Sequence, residues 1–96
     1  MTETHDKGLV NLYATKFSQL AVKVENGEKT LEEVQPLLDE AFGHMDIAKV
    51  IGTPAGNKSA LLARLQITAD LYAAPSPEHA KVLMHAVQLG RERLAK

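Results

Sequence analysis

Tyr13 and Lys16 stand three residues apart, Lys23 follows Lys16 by seven, and the turn Gly27–Glu28–Lys29–Thr30 comes directly after. On a helix such spacings share a face. The strip therefore leads into a turn where a base, a hydroxyl and the start of another helix meet. That combination suits an anion. Free amides at a helix N-terminus, helped by Lys29 and Thr30, bind phosphate, and the Tyr13 ring offers a stacking face worth about 1–3 kcal/mol to a nucleobase. The same residues also serve ordinary ends: Thr30 as a cap, Lys29 as a solvated charge, Tyr13 as a core-edge aromatic. A second polar group, Asn57, Lys58 and Ser59 with Arg64 less than two turns on, poses the same choice. Arginine recognises phosphate with its fork, yet a cap and a wet helix face use the same residue types. The residues alone leave both alternatives open.

Other chemistry finds less support. His5, His44, His79 and His85 make no pair at i, i+4, and with no cysteine in the chain a zinc set lacks ligands. Solvated side chains are expected at His44 and His79. The acidic neighbours Glu32–Glu33 and Asp39–Glu40 point about 100° apart on a helix, so neither pair converges on one atom. No serine sits in a nucleophile elbow, and the glycine turns lack phosphate-loop spacing. The expectation is binding without catalysis, with no cofactor and no metal.

The elements that position these residues are helical. Leu9, Tyr13, Phe17, Leu20 and Val24 mark one stripe of a first helix over Gly8–Asn26, which Gly27 stops. Thr30 and Glu33 fit a capping box for a second helix reaching Ile51. Its apolar face comprises Val34, Leu37, Leu38, Ala41, Phe42, Met45, Ala48 and Ile51, and Pro36 and Gly43 predict a kink. Gly52 and Pro54 close that helix. Asn57 is the expected cap of a third running to Ala73, with Leu61, Leu62, Leu65, Ala69 and Tyr72 inward. In Pro75-Ser76-Pro77-Glu78, serine caps and Pro77 takes the first helical position. The fourth helix then packs through Ala80, Leu83, Ala86, Val87 and Leu94. Short loops make sequential helices antiparallel neighbours. The expected fold class is all-α: a small antiparallel bundle with a kinked second helix over residues 8–96, behind a flexible tail over 1–7.

Ninety-six residues without cysteine or tryptophan form one domain with an aliphatic core. A chain this short buries only about 60–65% of its unfolded surface, so assembly into a homo-oligomer is the expected source of further burial. No run approaches the roughly 20 apolar residues of a membrane span, and the polar Met1–Lys7 stretch is no signal peptide; a soluble, cytosolic protein without a membrane partner is expected. Residues 1–46 carry four Lys and nine Asp/Glu, whereas residues 47–96 carry seven Lys/Arg and three Asp/Glu, balances of −5 and +4. With a pI near 6.4 the chain lacks the basic footprint of a duplex binder, but a small anion held by a few bases fits.

Two segments resemble a known family, the small helical phage proteins that inhibit CBASS immunity by sequestering cyclic oligonucleotides and share a helical hairpin with certain anti-Thoeris proteins. The first is LYATKFSQLAVKVENGEKTLEEVQPLLDE, a tyrosine-bearing helix, a Gly-Glu-Lys-Thr turn and an acidic second helix. The second is KSALLARLQITADLY, with Lys58, Ser59, Leu62, Arg64 and Leu65 in the hairpin's pattern. The chain departs from that pattern ahead of this helix, where it reads Pro-Ala-Gly-Asn, and at Leu71, Tyr72 and Ala73. The resemblance implies a symmetric hexamer in the cytoplasm of an infected bacterium, binding cyclic dinucleotides such as cyclic GMP-AMP between protomers. Tyr13 would stack on a base, with Lys16, Lys29 and Thr30 around the phosphates. A second site for a cyclic trinucleotide would use Arg64, beside Asn57 and Lys58. The ligand would be withheld from the host's effector and left uncleaved.

Two other readings compete. The acidic residues Glu32, Glu33, Asp39, Glu40 and Asp46 could steer an immunity protein or antitoxin to a basic partner. A helix-turn-helix regulator would need a basic recognition helix, and the third helix has only Lys58 and Arg64.

Overall fold

In the computed structural model, which describes residues 6–96, the chain enters its first helix one residue earlier than the stripe alone predicts. Asp6 caps α1 (Lys7–Glu25) by accepting from the Leu9 amide at 2.9 Å. Leu9, Val10, Tyr13, Ala14, Phe17, Leu20 and Ala21 face the core. Of the expected tail, residues 1–5, His5 among them, lie outside the described residues, while Asp6 and Lys7 belong to the helix start. Gly27 stops α1 as predicted. It takes a φ of 78°, a conformation only glycine adopts cheaply. Gly27 N then donates to Val24 O at 3.1 Å and Glu28 N to Lys23 O at 2.8 Å, the paired closure that satisfies a helix's last carbonyls.

The second helix differs from expectation at both ends. Leu31–Glu33 is a single 3₁₀ turn, and α2 proper runs Val34–Ile47. Thr30 makes no side-chain capping bond, so the Thr30–Glu33 box does not form. Pro36 explains the division. Sitting in the first turn of α2, it lacks an amide at a place where the helix leaves amides unpaired anyway. The predicted bend is thus a 3₁₀-to-α change ahead of the proline. At the far end Ala48 turns extended, with φ −71° and ψ 139°. Ile51 therefore leaves the apolar face and stands 63% exposed.

Thr53 caps α3 (Pro54–Tyr72), its hydroxyl accepting from the Gly56 amide at 3.0 Å, and Pro54 occupies the first turn. Pro54 thus opens the third helix and does not close the second. The residue before a proline is driven extended, and Thr53 at φ −107°, ψ 159° obeys. Asn57 is no cap: it lies wholly buried one turn inside α3. Its Oδ1 accepts from the Asp6 amide at 2.7 Å and its Nδ2 donates to Ile51 O at 3.4 Å. One side chain thereby ties the chain's entry to the α2–α3 connection.

The last helix, α4 (Pro77–Leu94), begins at Pro77 as expected and touches α1, α2 and α3. It packs tightly against α3 at Gly90, where an added Cβ would stand 2.5 Å from a Leu62 methyl. Leu94 and Tyr72, expected inward, are 37% and 40% exposed, because each ends its helix beyond the neighbouring core. Among the described residues the molecule is all-helical, with Phe17, Leu38, Met45, Leu61, Leu65 and Leu83 fully enclosed. No described helix is long and apolar enough to cross a membrane.

Candidate functional site

α1 and the start of α2 bring Lys16, Lys23 and Lys29 together on one open groove of about 270 Å³, with Glu33 and Glu40 on the opposite wall. The α1 spacing puts the first two lysines on one face, and the Gly27 turn folds the third back beside them. Lys16 Nζ meets Glu40 Oε2 at 3.0 Å. That carboxylate holds the ammonium above its ordinary pKa, first through the hydrogen bond and then through its charge. Both partners are about half exposed, so water screens the pair and its energy is small. Lys23 and Lys29 make no ion pair among the described residues.

Tyr13 is placed differently from the expected stacking platform. Its ring is 3% exposed, inside the stripe that packs the core. The hydroxyl lies 2.9 Å from His44 Nδ1, the two rings meet edge to face, and Lys16 Nζ sits 5.4 Å from the phenol centroid. Burial raises the phenol's pKa, the Glu40 charge adds to this, and Lys16 opposes it. A ring enclosed in its own chain has no face for a base. Tyr13 instead supports Lys16 from below, a cation–π contact that orients the ammonium.

The turn's backbone is also engaged. The Glu28 and Lys29 amides both donate to Lys23 O, at 2.8 and 3.3 Å, and the Glu33 amide donates to Thr30 O at 3.1 Å. The Glu28, Lys29 and Glu33 amides are therefore not free to hold phosphate. Thr30 is exposed and lies off the groove wall. Lysine ammonium groups are what this groove presents to an anion.

The second expected set, Asn57, Lys58 and Arg64, does not come together. Asn57 is buried in its bracket, and Lys58 reaches Asp46 at 2.7 Å and lies 5.2 Å above the Phe42 ring. Arg64 donates to Asn11 Oδ1 at 2.7 Å and lines a different groove, of about 280 Å³, between α1 and α3. Tyr72 and His79 close the other end of that groove. His79, expected in solvent, is 3% exposed. Its ring stacks on Tyr72 with centroids 4.0 Å apart, and its Nδ1 lies 2.9 Å from Glu25 Oε1. Ser76, expected to cap, donates to the other Glu25 oxygen at 2.6 Å. These two bonds, Ser76 first, hold the Glu25 carboxyl below its ordinary pKa. Sequence reading missed His79, although its spacing to Val82, Leu83 and Ala86 places it on the inner stripe of α4.

The acidic residues behind the interaction-protein reading are largely engaged within the fold: Glu40 with Lys16, Asp46 with Lys58, and Asp39 with Arg93. Compared with protein-family models, with curated proteins and with solved structures, the chain matches none.

Proposed function

We propose that this protein binds a small cyclic oligonucleotide second messenger of bacterial antiphage defence and withholds it, without cleaving it. The observation that carries this reading is the convergence of Lys16, Lys23 and Lys29 on one groove, two of them without an ion pair among the described residues. The sequence likeness over α1, the Gly27 turn and α2 supplies the ligand class. Two or three phosphates match a few lysines, whereas a long duplex would need a broader basic surface.

The groove's size bears on assembly. At about 270 Å³ it falls just below the roughly 300–1,000 Å³ of pockets that enclose a drug-sized ligand. One chain thus grips part of a cyclic dinucleotide, and a second copy closing over it supplies the remaining contacts. Ile47, Ile51, Ile67 and Leu71, each more than half exposed, are apolar side chains that such an assembly would cover. The phenol has no stacking role in this proposal: lysines grip the phosphates, and any base stacking comes from the second copy.

Titration calorimetry against a panel of cyclic di- and trinucleotides tests the reading. The expected result is saturable binding to at least one of them, weakened roughly 10- to 100-fold by Lys23→Ala combined with Lys29→Ala, as suits the loss of charge-assisted bonds. Absence of heat with every member of the panel would overturn it.

A further inference from the structure

His79 holds a buried polar atom without a hydrogen-bond partner. Its Nδ1 faces the Glu25 carboxylate at 2.9 Å. A carboxylate only accepts, so Nδ1 carries the proton and donates. Nε2 is then a lone pair when the ring is neutral and an N–H when it is charged. In either form it is buried, and it is the one buried side-chain nitrogen or oxygen among the described residues without a hydrogen-bond partner. Buried polar atoms are nearly always paired, and an unpaired one costs stability. The residue that carries it lines a groove.

That groove has a direction. Arg64 meets Asn11 near the start of α1, while Tyr72 and His79 meet near Glu25 at its end. α1 and α3 therefore run side by side in the same sense. From Arg64 to Tyr72 the rise along α3 is about 12 Å. Between those ends stand the hydroxyls of Thr15, Ser18 and Thr68, and no carboxylate lines the walls. One end is cationic, the middle is hydroxylic, and the far end is an aromatic ring over an imidazole with an unused nitrogen.

We infer that the α1–α3 groove is a second ligand site, separate from the lysine groove, and that it takes an aryl phosphate monoester with a hydrogen-bond donor on the far side of its ring. Arg64 exchanges its neutral partner Asn11 for the phosphate, a stronger acceptor for a guanidinium. Tyr72, 40% exposed at the last residue of α3, turns off the imidazole and stacks on the ligand ring. The ligand's donor then reaches His79 Nε2 as a lone pair, with Glu25 holding the opposite N–H in place. Binding thus satisfies the one buried side-chain nitrogen or oxygen that folding leaves unpaired among the described residues.

The test uses 4-hydroxyphenyl phosphate as the probe, with phenyl phosphate and inorganic phosphate as controls, on protein carrying ¹⁵N-labelled histidine. The expected result is a saturable shift of the His79 Nε2 resonance and of the Tyr72 ring signals. The hydroxylated probe should bind several-fold tighter than phenyl phosphate, in line with one added hydrogen bond. Because the buried His79 is costly to replace, the variants are Arg64→Gln and Thr68→Val on the groove's open wall. Arg64→Gln should weaken the probe roughly tenfold or more, and Lys23→Ala should leave it unchanged. Unmoved His79 and Tyr72 signals at saturating probe would sink the inference, as would binding that survives Arg64→Gln. Competition by a cyclic dinucleotide would sink the separateness of the two sites without touching the sequestration reading. Failure of every cyclic nucleotide to bind would leave this site standing.

Discussion

The lysine groove and the α1–α3 groove enclose nearly equal volumes, about 270 and 280 Å³, yet they are built in opposite ways. The first lies within a short contiguous stretch, Lys16 to Glu40, and its charged ends stand on the rim in water. The second joins residues more than fifty positions apart, Asn11 with Arg64 and Glu25 with His79, and one of its walls is a buried ring. A surface built from local sequence can change its charges without disturbing the core. A surface whose floor belongs to the core cannot. This contrast makes the lysine groove tolerant of substitution and the other groove expensive to alter.

The largest effect expected from this contrast is His79→Ala. The substitution removes a ring that is 3% exposed, together with its stack on Tyr72 and its bond to Glu25. Relief of the unpaired Nε2 offsets part of the loss. The net cost should be about 2–3 kcal/mol, at the lower end of large-to-small core changes. Urea unfolding at neutral pH measures it, and an unchanged midpoint would show that the second groove is not anchored in the core.

A smaller effect concerns acid. Ser76 and His79 hold the Glu25 carboxyl below its ordinary value, so the folded state binds this proton less readily than the unfolded state. The stabilisation is then fully present above the unfolded carboxylate pKa, near 4.3. It is lost as pH falls through the depressed folded value. Glu25→Gln should flatten that acid limb of the stability curve. An identical acid limb in the variant would show that the clasp between α1 and α4 contributes nothing in solution.

The same contrast explains what sequence reading could reach. The Gly27 stop and the Pro77 start were legible because each depends on a residue whose backbone preference acts locally. Thr53–Pro54 carries the same signature as Ser76–Pro77, with proline in the first turn of each helix, although only Thr53 makes the capping bond. A proline shortly after a glycine reads equally well as the end of the preceding helix, and only the structure shows Pro54 in the first turn of α3. Lys16 and Lys29 line one groove because a helix face and a tight turn relate them, a relation local sequence carries. Tyr13 was on the apolar stripe from the start. The stripe implies burial, and the stacking role follows from the family resemblance and not from the residue's position. Asn57 and His79 were beyond reach for a different reason. What each bonds to, the Asp6 amide and the Glu25 carboxylate, lies 51 and 54 residues away, and no local pattern encodes such a partner.

The smallest effect on stability, and the one that sharpens the comparison most, comes from Lys23→Ala and Lys29→Ala. Both side chains are exposed and make no ion pair among the described residues. Surface changes of this kind usually stay within about 0.5 kcal/mol. Lys23 follows Lys16 on the outer face of α1, and Lys29 follows the helix stop, so neither replacement opens a cavity or unpairs a buried atom. The urea midpoint of each variant should match the parent even where cyclic nucleotide binding is lost. A clear loss of stability in either would mean that the lysine groove, too, is wired into the core. The difference in construction between the two grooves would then fail as an explanation of which one tolerates change.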